Sequence, residues 1–114
     1  MKAMTNRQGE GIDRELLKGV KLVTRCWGKK TLMAEFHIEA GSELPDHSHP
    51  HEQTGYLIKG RLDLVIDGVR HEFAAGDAWS IPGETRHSAV AVTDVVALEV
   101  FTPVREDYLP AESA

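Results

Sequence analysis

Cysteine is almost missing from this 114-residue chain. Cys26 stands alone, which excludes an internal disulfide and a thiolate metal cluster, and burial habit predicts a small buried hydrophobe there. Positive charge is also scarce. Thirteen Lys and Arg face eighteen Asp and Glu, for a net charge of -5, and no basic run interleaved with aromatics occurs. Nucleic acid is therefore not an expected partner. Long hydrophobic runs are absent too: nowhere do about 18 apolar residues follow one another, so no membrane span is expected. The opening residues, MKAMTNRQGEG, lack the apolar centre of a secretory leader, and cytoplasm is the expected address. The length suits one domain with a single core.

Helical periodicity is just as sparse. The one helical hint is Asp13-Arg14-Glu15-Leu16-Leu17, a single turn ahead of the first strand. Thr31 to Glu39 alternates with a period of two, placing Leu32, Ala34, Phe36 and Ile38 on one face, which predicts a half-buried strand. After a loop over residues 41–51, strands are predicted over 53–59, 61–66, 69–74, 79–81, 87–92 and 95–102. Their regular spacing of about 8 to 12 residues points to an antiparallel sandwich or barrel. Asp67-Gly68 between two alternating runs marks a type I′ hairpin, which needs positive φ at both central residues. Gly60 and Gly76 mark further tight turns.

The chemistry concentrates in His47-Ser48-His49-Pro50-His51-Glu52-Gln53, answered by His87. Histidines at i and i+2 of an extended chain project to the same side, so His47 and His49 can hold one ion together. The Gln53 amide oxygen can supply a third ligand and His87 a fourth. Nitrogen donors suit a divalent transition metal, whether Zn, Ni, Fe, Mn or Co, and nothing in the pattern chooses among them. These donors are neutral, so a bound dication keeps its full charge, acts as a strong Lewis acid and favours an anionic substrate. His51 shares the parity of His47 and His49, but Pro50 restrains the chain before it, and it is expected outside the ligand set. His37 and His71, among charged neighbours, are expected on exposed polar faces, and Trp79 and Phe73 in the core. Tyr56 flanks the site on either reading.

Glu99 is the sole carboxylate in Val95-Val96-Ala97-Leu98-Glu99-Val100-Phe101. If the Glu99/Phe101 face lines a cavity, burial raises its pKa and lets it donate a proton; otherwise it is a solvent-facing acid. Arg105, beyond Pro103, either holds a substrate carboxylate in a bidentate fork or pairs at the surface with Glu106 or Asp107.

Gly41-x5-His47-x-His49-x3-Gln53-x6-Gly60 resembles the first motif of the cupin superfamily, with Gln53 where most members have Glu. Gly76-x5-Pro82-x4-His87 resembles the second, with Glu84 at the usual glycine and Ala91 at the usual asparagine. Fifteen residues separate Gly60 from Gly76, the short spacing of compact single-domain cupins. The resemblance implies an all-β double-stranded β-helix, or jelly-roll barrel. The cupin domain then spans residues 12–109, between a flexible N-terminal segment, 1–11, and a loose C-terminal tail, 110–114. The run HSHPHEQTGYLIKGRLDLVIDG and the tail from Leu98 to Leu109 are further similar to the KdgF-type pectin degradation cupins. That branch implies a divalent metal on three His and one Gln, here His47, His49, His87 and Gln53. It also implies linearisation of 4,5-unsaturated monouronates, sugar acids released from pectin or alginate, into 5-keto-4-deoxyuronate. The acidic residue, Phe and Arg of that branch fall on Glu99, Phe101 and Arg105, although the branch has Asp at the first of these. A homodimer is implied as well. Two other classes fit the same ligands: a metal dioxygenase resembling the quercetinases, and a non-catalytic module that binds a small acid.

Overall fold

The computed structural model describes residues 2–110. Ten strands run β1 (Ile12–Leu17), β2 (Val20–Trp27), β3 (Leu32–Ile38), β4 (Glu43–His47), β5 (Glu52–Lys59), β6 (Arg61–Ile66), β7 (Val69–Ala74), β8 (Ala78–Ile81), β9 (His87–Ala91) and β10 (Val95–Thr102), followed by a single 3-10 turn, Glu106–Tyr108. One sheet has the order β1-β2-β3-β10-β5-β8 and the other β4-β9-β6-β7, with every pairing antiparallel. This is the all-β jelly roll that the cupin resemblance implies.

Strict alternation builds the centre. In β3 and β10 every second side chain is buried, Leu32, Ala34, Phe36 and Ile38 in one and Val95, Ala97, Glu99 and Phe101 in the other. A pleated strand turns those sets to one face, where they meet Leu22, Leu57, Leu62, Leu64, Ile81 and Ala89 in a continuous core. Burying a side chain of this size is worth about 1.5–3 kcal/mol. The hairpin between β6 and β7 turns at Asp67 and Gly68, with φ of 49° and 79°, as its sequence predicts. Tyr108 closes the core from the C-terminal side, its ring edge-on to Phe36 and Phe101, and its carbonyl accepts from the buried Thr24 hydroxyl at 2.7 Å.

Four expectations are corrected. Residues 13–17 form no helical turn but belong to strand β1, which pairs with β2, so pairing overrides a locally helical composition. The predicted loop over 41–51 contains β4, paired to β9 through a register shift between Leu44 and His47. Cys26 is half-buried because it follows the irregularity in β2 between Thr24 and Cys26. His37 and His71 are half-buried rather than exposed: His37 bonds Glu35 at 3.0 Å, and His71 stacks on Phe73 at 5.7 Å. Of the tail expected at 110–114, all but Pro110 lies outside the described residues.

Candidate metal centre and pocket

His47 ends β4, His87 opens β9, and these two residues are register partners across the sheet; His49 enters from the connection to β5. Each ring is held in the same way. Nδ1 of His47 lies 2.7 Å from the Pro45 carbonyl, that of His49 2.9 Å from the His51 carbonyl, and that of His87 2.8 Å from the Thr85 carbonyl. A carbonyl only accepts, so each Nδ1 carries the hydrogen and each Nε2 keeps its lone pair. The rings converge, with centroids 4.2 Å apart for His47 and His87, 5.0 Å for His49 and His87 and 5.6 Å for His47 and His49. One nitrogen from each lies within 4.8 Å of the other two.

Nε2 of His49, Nε2 of His87 and Oε1 of Gln53 are buried without a hydrogen-bond partner among the described residues. A buried acceptor left unpaired costs about 1–3 kcal/mol, so gathering three in one place makes sense where a cation takes their lone pairs. The donor set fits a divalent transition ion. Burial depresses the pKa of His87 to about 4, and burial followed by the Arg105 charge lowers that of His49. Both imidazoles are then neutral at physiological pH, the form a ligand requires.

Gln53 comes from the inner face of β5 and donates through Nε2 to Glu99 Oε2 at 3.1 Å. The β10 face carrying Glu99 and Phe101 points inward, with exposures of 7% and 1%. Trp79, in the core as expected, donates through Nε1 to Glu99 Oε1 at 3.2 Å. Burial lifts the Glu99 pKa to about 7, against the opposing pull of these two donors. Phe101 stands edge-on to the His49 ring at 6.0 Å.

Arg105 pairs with Asp107, but from within the pocket and not at the surface. Its side chain is only 11% exposed and lines the pocket, yet Nε and Nη2 already bind Asp107 at 3.0 and 2.6 Å. Its guanidinium lies 4.0 Å from the Tyr108 ring centre and 5.1 Å from that of Phe101. The pocket, about 510 Å³ including its open mouth, runs from these groups down to Phe36, Ile38, Leu62 and Leu64. His51 stays outside the three-imidazole cluster, though its carbonyl fixes the His49 ring and its own Nδ1 is buried without a partner. Tyr56 lies on the outer face of β5, 48% exposed.

Two residues in the site escaped sequence reasoning. Tyr108 sits in a tail with no periodicity, so only the fold shows that it buries itself beneath Arg105. The polar contact of Trp79 depends on strand register, which the sequence does not display.

This chain belongs to the cupin domain family, whose model matches residues 34–102. Among characterised relatives it is 29% identical over 97 residues to the pectin degradation protein KdgF of Dickeya dadantii, covering 83% of this chain and 88% of that protein. The structure of KdgF from a Halomonas species superposes with a TM-score of 0.89 at 24% identity, covering 95% of this chain and all of the other. An RmlC-like cupin from Shewanella frigidimarina gives the same TM-score and identity, covering 95% of this chain and 97% of that one. Similarity at this level to the two solved structures establishes the fold.

Proposed function

We propose that this protein is a metal-dependent enzyme that opens the ring of 4,5-unsaturated monouronates, giving 5-keto-4-deoxyuronate. The observation that supports this most is the convergence of three lone-pair-bearing imidazoles, two of them lining a pocket with a buried carboxyl group and a buried arginine, in a chain similar to a pectin degradation protein over most of its length. His47, His49, His87 and Gln53 would hold the ion. When bound, a divalent ion supplies Lewis acidity toward the oxygens of the sugar acid.

The chain's own groups carry the remaining steps. Glu99, buried and held by two donors, delivers a proton to C4 of the conjugated double bond. Water then adds at C5 and gives a proton back to Glu99, and the resulting hemiketal opens by breaking its bond to the ring oxygen, which takes the hydroxyl proton, leaving a ketone at C5 and an aldehyde hydrate at C1 that loses water. Phe101 walls the sugar ring beside His49. Arg105 faces the substrate carboxylate, with Nη1 free of the bonds to Asp107. Fixed positive charge in the low-dielectric pocket offsets the substrate carboxylate and the negative charge that Glu99 takes on as it gives up its proton. No oxidant or reductant takes part.

Turnover of an unsaturated monouronate by Glu99→Gln and His49→Ala tests the scheme. Both are expected to lose activity, Glu99→Gln by about 100-fold or more when assayed at saturating metal. Wild-type turnover in both variants would contradict it.

A further inference from the structure

We propose that Trp79, lying across Gly55, holds the Glu99 carboxylate in the position that engages the Gln53 NH2 and leaves Gln53 Oε1 to face the three imidazoles. Trp79 is a positioning residue that acts through Glu99, and the inference rests on the metal-site reading above.

The device follows from the register of β10, β5 and β8. Glu99 is directly opposite Gly55, and Gly55 is directly opposite Trp79, so the three form one row across adjacent strands. All three are buried. The ends of such a row are two strand spacings apart, about 9.5 Å, and an intervening side chain would normally separate them. Glycine leaves that place open. A Cβ built on Gly55 would lie 2.2 Å from both Nε1 and Cε2 of the Trp79 indole and 2.5 Å from Cζ2. The indole therefore lies over the glycine and carries its N–H to Glu99 Oε1. Behind it, Phe73 stacks at 5.2 Å with planes 25° apart.

Hydrogen-bond polarity does the rest. An indole N–H can only donate, so Oε1 of Glu99 accepts. Oε2 of the same carboxylate faces the Gln53 amide and accepts from Nε2 at 3.1 Å. With its NH2 engaged, Gln53 turns Oε1 away from Glu99, and that oxygen is the acceptor left without a partner. Gln53 and His49 are close neighbours. An amide turned the other way would present hydrogens to a cation and could not ligate it. The same geometry accounts for an amide at position 53: a glutamate there would set two carboxylates about 3 Å apart, where like charges resist joint ionisation.

The test measures Zn2+ affinity of the full chain by competition with a chromophoric chelator, together with the visible spectrum of the Co2+ form. Trp79→Phe removes the N–H and keeps an aromatic ring. Gly55→Ala keeps the indole and places a methyl group where it lies. Phe73→Leu disturbs the packing and leaves the N–H in place. Supporting partners of metal ligands typically change affinity by about 10- to 100-fold, and that weakening, with an altered Co2+ spectrum, is expected for Trp79→Phe and Gly55→Ala. Phe73→Leu is expected to bind Zn2+ as the wild type does. Unchanged affinity and spectrum in Trp79→Phe and Gly55→Ala, with wild-type metal binding intact, would overturn the inference alone. Equal weakening by Phe73→Leu would reduce Trp79 to a packing role. A wild-type chain that binds no divalent ion would overturn the metal-site reading and this inference with it.

Discussion

Along β10 the inward-facing side chains change character halfway. Val95 and Ala97 join an aliphatic floor with Leu62, Leu64 and Ala89, whereas Glu99 and Phe101 stand beside Gln53 and His49. The floor has only apolar groups packed on one another, and its burial stabilises the fold. The upper end gathers buried lone pairs without partners and a carboxyl group with a displaced pKa, which weaken the fold and prepare it to receive a cation. Stability and chemistry are thus divided along the length of single strands. A change at one end should leave the property of the other end largely intact.

The largest effect expected from breaking this division is at the upper end. His87→Ala removes one of three converging imidazoles, and loss of Lewis-acid stabilisation worth several kcal/mol should lower turnover by about 1000-fold. Its metal-free form should differ from the metal-free wild type by less than about 1 kcal/mol, because the lost packing is offset by loss of a buried orphan nitrogen. Turnover and chemical denaturation of the metal-free proteins check the two halves. At the floor, Leu64→Ala should cost about 2–5 kcal/mol of stability while the folded fraction binds Zn2+ with unchanged stoichiometry. Denaturant titration paired with metal analysis checks this.

Smaller changes sharpen the boundary. Arg105→Ala should raise KM for an anionic substrate by about tenfold, close to 1.4 kcal/mol, while leaving Zn2+ affinity nearly unchanged. Steady-state kinetics beside a metal titration would show whether this residue serves the substrate or the ion. The smallest effect lies outside the pocket. Glu84 occupies a left-handed backbone conformation, φ 65°, and its amide donates to the His49 carbonyl at 2.7 Å. Glu84→Gly keeps that amide and relieves the strain, so stability should rise by up to about 1 kcal/mol with turnover unchanged. Thermal unfolding measures it.

Legibility in the sequence followed the same division in part. Strands with one buried face announced themselves: β3 and β10 alternate without a break, and the spacing of His47, His49 and His87 singled out three residues whose ring nitrogens converge. Edges were harder to read. β1 is exposed along nearly all its length, so no apolar period marks it, and its Asp-Arg-Glu-Leu-Leu reads as helix until β2 pairs with it. β4 contains a proline and a register shift, either of which hides a strand. Within the site, residues that act through the backbone or through a neighbour were silent. The carbonyls of Pro45, His51 and Thr85 that orient the imidazoles carry no side-chain signal, and the row of Glu99, Gly55 and Trp79 exists only once three strands are in register. The left-handed turn at Glu84 was visible as a departure from the cupin glycine, and the structure supplies its physical meaning.

The most direct measurement of the proposed chemistry is the near-ultraviolet absorbance of a 4,5-unsaturated monouronate mixed with the purified protein, in air and under anaerobic conditions, before and after chelation. The conjugated double bond is the chromophore, and ring opening destroys it. Loss of absorbance that requires metal and proceeds equally without oxygen is the predicted result. No loss from a fully metal-loaded protein would contradict uronate linearisation, and loss only in air would place the pocket in oxygen chemistry instead.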